Sequence, residues 1–399
     1  MSDLTSSGAS RGGAYPASQY VYSCQNNVFT VTLSHPLAWV LLGCYMRKNQ
    51  VRACTIEAPC KINLHLAIGE RRPDGFHNLE SLFAPLDFHD TLRLERGGRE
   101  GDCSLEVNWE GQVEDIPPER NLVSKAVSLF REKTGFKDGL FVRLDKRVPV
   151  GAGLGGGSSD AASSLLALNA LAGGVLSMEE LKDLAAILGS DVPFFLNRGT
   201  DGATSPSGDA CPSAAFVGGR GEVVKPVKTP RGLWVLLAKP GFSSYTAAAF
   251  QLLDQTRLRD RWHGDSLDLS PGKTSPIAMG KPPADVLIRA LEGAPETWPF
   301  YNDFLPVFLD SRKHQDKGIL TNGAGENIAL RADHYRDILT TLKDAGASFA
   351  GLSGAGSCCF GVFKVKETAE MAEKELRIPG NFVKLTFFLA QKTIPVLEY

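Results

Sequence analysis

Neither sign of charge is in excess in this 399-residue sequence: 43 lysines and arginines stand against 45 aspartates and glutamates, a formal net charge of −2. A chain so balanced has no global positive field to draw in nucleic acid or an anionic membrane, so a phosphate group must be met by a local site. Zinc spacing is also missing, because the eight cysteines form no C-x2-C pair and no His-x3-5-His partners them. Reduced thiols in a cytoplasm are the expectation. The apolar run at 36–46, eleven residues long, is too short to span a bilayer and lies too far inside for a usual signal peptide. The composition, 43% hydrophobic and 22% charged with 41 glycines and 23 prolines, excludes disordered, collagenous and fibrous classes. At about 150 residues per domain, the length predicts two or three globular domains.

What is present begins with a Ser-, Gly-, Ala- and Tyr-rich segment, 1–45, that carries no site pattern. It reads either as an appendage, with an edge strand at 28–33, or as a segment ahead of an internal start at Met46. From Ala53 onward, β-rich segments at 54–58, 62–68 and 92–94 flank Arg72-Pro-Asp-Gly75, a turn with Pro and Gly in favoured places. Leu122, Ala126, Leu129 and Phe130 recur at helical spacing behind Asn121, and Gly135 stops that helix. A strand at 140–144 then feeds a glycine run and an alanine-rich helix. Ser177 and Glu180 form a capping box for the next helix, which Gly189 ends before Ser190-Asp191. Residues 201–221 read as an exposed loop, and 256–283 and 311–326 as surface excursions. The apolar strand 233–238 opens a second domain, whose later part predicts a helix at 335–342, a Gly-rich loop with a strand at 351–363 and a helix at 367–376. The division predicted is 46–228 and 229–399.

The glycine run places five glycines in seven positions, 151–157, between a strand and a helix. It matches G-x-G-x-x-G, but the acidic residue that a dinucleotide site needs about 20 residues on is replaced by a helix-capping segment. A Walker A loop fails as well, since Leu267 rather than glycine stands five positions before Gly272 of the Gly-Lys-Thr triplet. What remains is backbone that can approach an anion closely, helix-start amides aimed at it, and two serine hydroxyls as added donors. A triphosphate fits that chemistry.

Three separated segments, Ala58-Pro-Cys-Lys-Ile-Asn63, the run from Pro149 to Ser159, and Gly351-Leu-Ser-Gly-Ala-Gly-Ser357, together resemble the three motifs of the GHMP small-molecule kinases. Arg72-Pro-Asp-Gly-Phe-His-Asn-Leu-Glu-Ser-Leu-Phe83 and Leu188-Gly-Ser-Asp-Val-Pro-Phe-Phe195 resemble, within that family, the branch acting on a cytidine-diphosphate-linked methylerythritol. The resemblance covers roughly 51–399, with insertions near 201–214, 256–283 and 311–326. It implies an α/β fold with a ribosomal-S5-like N-terminal domain, a ferredoxin-like C-terminal domain and a site in the cleft between them. The implied reaction is ATP-dependent phosphorylation of the 2-hydroxyl of 4-diphosphocytidyl-2-C-methyl-D-erythritol, in the non-mevalonate route to isoprenoid precursors. The departures are Cys60 for Ala, Phe76 for Tyr and Ala355 for Ser.

The resemblance also assigns roles. Asp191 is the expected base that takes the hydroxyl proton, against a capping role, and Lys61 its partner and that of the phosphate, against a snorkelling structural lysine. ATP is assigned to Pro149, Val150, Gly151, Ala152, Gly153, Leu154, Gly155, Gly156, Gly157, Ser158, Ser159, Ser353 and Gly354. Asn63 is placed at the substrate, and Phe76 and Phe250 sandwich its cytosine while His77, at a loop tip, reads the base edge. Asn121 is placed near adenine. Mg2+ arrives with ATP, with no residue singled out as its ligand. Asp160 favours the helix dipole, and Cys358 and Cys359 alternate faces of a strand as packing. Other readings are a homoserine or mevalonate kinase, or a catalytically inactive ATP-binding sensor. No nucleic acid, no membrane and a cytoplasmic location complete the expectation.

Overall fold

A computed structural model of the chain describes residues 19–24, 27–32, 51–110, 116–197, 213–263, 282–309, 332–389 and 396–398. The chain divides into two compact units, 1–51 with residue 399, and 52–398. The described part of the first is a hairpin, β1 (Gln19–Cys24) antiparallel to β2 (Asn27–Thr32). The strand expected at 28–33 is therefore there, paired with the segment just before it. The rest of the expectations for 1–45, and those for 201–212, 264–281 and 311–326, lie outside the described residues.

In the second unit, the separate β-rich segments are pieces of one long hairpin, β3 (Ala53–Arg71) and β4 (His77–Arg96), closed by the 72–75 turn with Gly75 at φ 85°. The register shifts between Pro59 and Lys61 and between Asn63 and His65. Bulges of this kind re-aim side chains, and Pro59 sits at one because a bulge spares it a ladder donor. β5 (Cys103–Trp109) runs parallel to β6 (Leu140–Lys146), with α1 (Leu122–Thr134) as the crossover between them. Gly135 ends α1 at φ 70°, as the spacing predicts, and Asn121 caps its start through Val123 N at 2.9 Å. The helices α2 (Gly156–Leu171), α3 (Met178–Leu188) and α4 (Val192–Phe195) follow, α3 opening on the complete Ser177/Glu180 capping box.

Within 201–221, residues 215–219 are not an exposed loop but β7 (Ala215–Gly219), which pairs with Leu79–Phe83 of β4 and with β8 (Val223–Pro226). The half of β4 beyond its pairing with β6 needs a ladder partner, and Ala215, Phe216 and Val217 are apolar enough to be buried there.

The second sheet has the order β10-β11-β9-β12, all antiparallel: β9 (Trp234–Lys239), β10 (Phe349–Leu352), β11 (Cys359–Phe363) and β12 (Phe382–Phe387). Around it lie α5 (Thr246–His263), α6 (Ala284–Leu291), α7 (Phe304–Leu309), α8 (Ala332–Asp344) and α9 (Lys366–Leu376), and β13 (Val396–Glu398) returns to pair with β3. Alternation along its strands feeds two cores. Val235, Leu237, Cys358 and Phe360 join Ile62, Leu64, Leu82 and Trp298, whereas Leu236, Ala238, Cys359 and Phe363 join Tyr335, Ile338 and Leu342 of α8 and Ala372 of α9. The adjacent cysteines thus pack into opposite faces, as alternation predicts. Burial pushes the Cys358 thiol up to about 12, which suits packing rather than reactivity. The five cysteines with described side chains are all free.

Candidate active site

Lys61 and Asn63 share a face of β3 because they are two residues apart, and Lys61 Nζ donates to Asn63 Oδ1 at 2.6 Å. Lys61 is buried to 2% exposure, so its ammonium must be compensated. It lies 4.4 Å from the Phe83 ring centroid and 3.3 Å from Asp191 Oδ2. Asp191 precedes α4 at the cap position yet makes no side-chain cap bond. Its carboxylate is turned to Lys61 instead, which corrects the capping alternative, and its side chain keeps 33% exposure toward the cavity. Asn63 is fixed in turn, donating from Nδ2 to Ser81 Oγ at 3.0 Å and from its backbone to Ser353 Oγ at 3.2 Å.

The glycine run forms the facing wall. Gly151, Gly153 and Gly155 have φ of 62°, 74° and 70°, in the left-handed region. At Gly153 a Cβ would stand 2.1 Å from the Ser353 carbonyl oxygen, so the two glycine-rich loops touch backbone to backbone. Ser353 Oγ donates to Gly153 O at 2.8 Å, Cys358 N to Ala152 O at 3.2 Å and Ser244 N to Gly151 O at 2.9 Å. Asn302, from the segment before α7, holds the second loop through Leu352 O and Gly354 O, both at 2.8 Å. The start of α2 carries no side-chain cap, and the Ser159 hydroxyl is buried without a protein partner.

Lys61, Asn63, residues 149–158, Asp191, Phe250 and Gly354 line one cavity of about 430 Å³, with Asn121 also on its wall. Ser159 and Ser353 lie just behind it, both fully buried. The base-reading arrangement differs from the expectation. His77 is not at a loop tip but opens β4 at 7% exposure, with Nδ1 3.0 Å from Gly69 O and Nε2 3.4 Å from Asp254 Oδ1. Its imidazole is stacked on Phe250 at 5.1 Å. The hairpin closes tightly at Gly75, which draws His77 inward while Phe76 stays 52% exposed under the Arg220 guanidinium.

Sequence reading missed a buried group beside the loop. Lys146 Nζ donates to Asp90 and, at 2.8 Å, to Asp160 Oδ2, and Asp90 Oδ1 also accepts from Val148 N at 2.8 Å. Asp160 therefore makes an ion pair rather than only favouring a dipole. Burial, and then Asp90, push its carboxyl up to about 7 against the pull of Lys146. Burial works to lower the Lys146 ammonium, but the two carboxylates outweigh it and its pKa is raised. The sequence carries little signal for it, because Asp90 stands between His89 and Thr91, and Lys146 between Asp145 and Arg147, among other polar and charged residues.

Comparison with known proteins bears on this geometry. The family described as GHMP kinases N terminal domain matches residues 121–199, and GHMP kinases C terminal matches 318–381. A 4-diphosphocytidyl-2-C-methyl-D-erythritol kinase from Thermodesulfovibrio yellowstonii is 32% identical over 321 residues, 80% of this chain and 93% of that protein. The chain belongs to the 4-diphosphocytidyl-2-C-methyl-D-erythritol kinase family. The chloroplastic kinase of that name from Arabidopsis thaliana is 41% identical over 203 residues, a match that spans half of this chain and about half, 49%, of the plant protein's length. A crystal structure of 4-(cytidine 5'-diphospho)-2C-methyl-D-erythritol kinase aligns with TM-score 0.55 at 27% identity, covering 83% of this chain and 98% of that one. The α/β fold of this kinase family, with its N- and C-terminal GHMP parts, is the fold described above. No helix among the described residues is long and apolar enough to cross a membrane.

Proposed function

We propose that this chain transfers the γ-phosphoryl group of ATP to the 2-hydroxyl of 4-diphosphocytidyl-2-C-methyl-D-erythritol. The observation that carries the reading is the Lys61–Asp191 pair at 3.3 Å on the wall of the cavity that the glycine loop also lines. Phosphoryl transfer to an alcohol asks the protein for position, charge neutralisation and a proton acceptor. The glycine loop fits a triphosphate because its left-handed turns bare the backbone, the start of α2 has no side-chain cap, and the Ser159 hydroxyl has no protein partner. ATP supplies the transferred group, and Mg2+ with it neutralises phosphate charge. That ion would be carried mainly by phosphate and water oxygens.

In this reading Asp191 Oδ1 or Oδ2 accepts the proton of the 2-hydroxyl, and Lys61 orients the carboxylate and faces the transferred phosphate. Asn63 positions Lys61. Ser353 and Gly354 close the second loop over the nucleotide, and Asn121 lies toward its base. A cytosine subsite at Phe76, His77 and Phe250 is supported by Phe250 lining the cavity and by the His77 imidazole stacked on it. The proposed domains are 46–228, which holds β3 to β8, and 229–399, which holds β9 to β12 and sends β13 back to pair with β3. The partner is a small molecule rather than nucleic acid or membrane, and the compartment is the cytoplasm, where free thiols persist. A coupled ADP-release assay offering the cytidyl substrate, homoserine and mevalonate tests the reading. Turnover with the cytidyl substrate alone supports it; preference for another alcohol, or ATP binding without any turnover, overturns it.

A further inference from the structure

The seven residues 149–155, proposed to cradle phosphate, lie between Val148, two residues beyond β6, and Gly156, at the start of α2. Something must hold those two ends together, because a glycine-rich loop has little side-chain packing of its own and loses much conformational freedom on ordering. The ends are in contact: a Cβ on Gly156 would stand 2.9 Å from Val148 Cγ1 and 3.3 Å from Lys146 Nζ. Directly behind them lies the buried group already described. Asp90 of β4 grips the chain just beyond β6 through Val148 N at 2.8 Å and binds the Lys146 ammonium, and that ammonium reaches across to Asp160 Oδ2 at 2.8 Å, on the second turn of α2. Asp90 is fully buried, Asp160 is 3% exposed and Lys146 5%. An assembly of three desolvated charges is costly unless every contact is kept, and replacing it with apolar side chains would often be neutral for stability alone. Lys146 and Asp160 also lie on the wall of the cavity.

We infer that Asp90, Lys146 and Asp160 are positioning residues that clasp the two ends of the phosphate loop and so preset its amides for the nucleotide. The inference rests on the glycine loop being the nucleotide site. The contacts of the clasp run to Val148 and α2 and include neither Lys61 nor Asp191, so its expected effect is on nucleotide affinity rather than on the proton acceptor.

The test compares Asp160→Ala with Asp160→Asn in the full chain. Asp160→Ala cuts the link to α2 while leaving the Lys146–Asp90 pair, and Asp160→Asn keeps an oxygen for Lys146. Dissociation constants for ADP and for a non-hydrolysable ATP analogue with Mg2+ are measured by calorimetry, and KM is measured separately for ATP and for the cytidyl substrate. Asp160→Ala is expected to weaken both nucleotides and raise KM for ATP about tenfold, the effect of one charge-assisted hydrogen bond, with KM for the cytidyl substrate within twofold. Asp160→Asn is expected to recover most of that loss. A general loss of stability would lower the active fraction without separating the two substrates. Nucleotide affinity within twofold of wild type in a folded Asp160→Ala, equal weakening toward both substrates, or an Asp160→Asn as impaired as the alanine overturns the clasp. If Asp160→Ala does not fold, Asp160→Asn decides: a weakening of ADP by about twofold to fivefold supports the clasp, and none overturns it. Calorimetry keeps the test separate from the proposed reaction, since a wild type that binds nucleotide but turns over nothing would sink the substrate assignment and leave the clasp to be judged.

Discussion

Asp191→Asn removes one charge and one basic site while keeping size and shape, so it isolates the proposed proton acceptor. At 3.3 Å from Lys61 Nζ the two charges attract by about 5 kcal/mol with an effective dielectric constant of 20. Much of that is offset by desolvation of Lys61, whose side chain is 3% exposed. In the variant Lys61 retains Asn63 Oδ1 at 2.6 Å and the Phe83 ring at 4.4 Å. Since the Asp191 side chain is also one-third exposed, the stability loss should fall below the 3–5 kcal/mol of a fully buried pair, at about 1–3 kcal/mol. The catalytic loss is larger. Removing a general base lowers turnover by about 10²- to 10⁴-fold, or about 2.7–5.4 kcal/mol of barrier. Coupled ADP release at saturating ATP and cytidyl substrate measures turnover, circular dichroism checks the fold, and KM for ATP should stay within about threefold because Asp191 faces the acceptor. A folded variant that keeps a third of wild-type turnover refutes the base, and positioning would then be the whole of its effect.

Gly153→Ala places a methyl 2.1 Å from the Ser353 carbonyl at φ 74°, so both loops must move; denaturant unfolding should show a loss of at least about 2 kcal/mol, and an unchanged midpoint would mean that the loops are not in contact. Phe76→Ala is expected to raise KM for the cytidyl substrate by about 5- to 150-fold, from about 1–3 kcal/mol per stacked base, with KM for ATP unchanged, and its 52% exposure makes a folding defect small. An equal rise in both constants would take the ring out of the cytosine subsite. The Asp160 carboxyl, pushed up to about 7 from 3.8, gives a pH dependence of definite sign. Between those values the unfolded chain has released a proton that the folded one still holds, so this group makes stability fall as pH rises from about 4 to about 7. Asp160→Asn should flatten that decline in a series of thermal melts, and a slope equal to wild type would show that the proton resides elsewhere.

Local chemistry settled much of this molecule in advance. The caps at Asn121, Ser177 and Gly135, the turn at 72–75 and the alternation of Cys358 and Cys359 are decided within a few residues of chain, so they are legible in order along it. The glycine run points to an anion site, because so much bare backbone ahead of a helix suits few other uses. Pairing across the chain was beyond such reading. That residues 215–219 complete the β4 ladder depends on an edge more than 130 residues earlier. The turning of Asp191 from its own helix to Lys61, the placing of His77 on Phe250, and the meeting of Asp90, Lys146 and Asp160 depend on bulges and register that only the assembled sheets impose. Lys61, beside Ile62 and Leu64, is visible in the sequence as an oddity, whereas Asp90 and Lys146 are hidden among charged neighbours. Which opposite charge answers a buried one is a matter of distance in three dimensions, because the Coulomb and desolvation energies that select the partner have no counterpart in residue spacing.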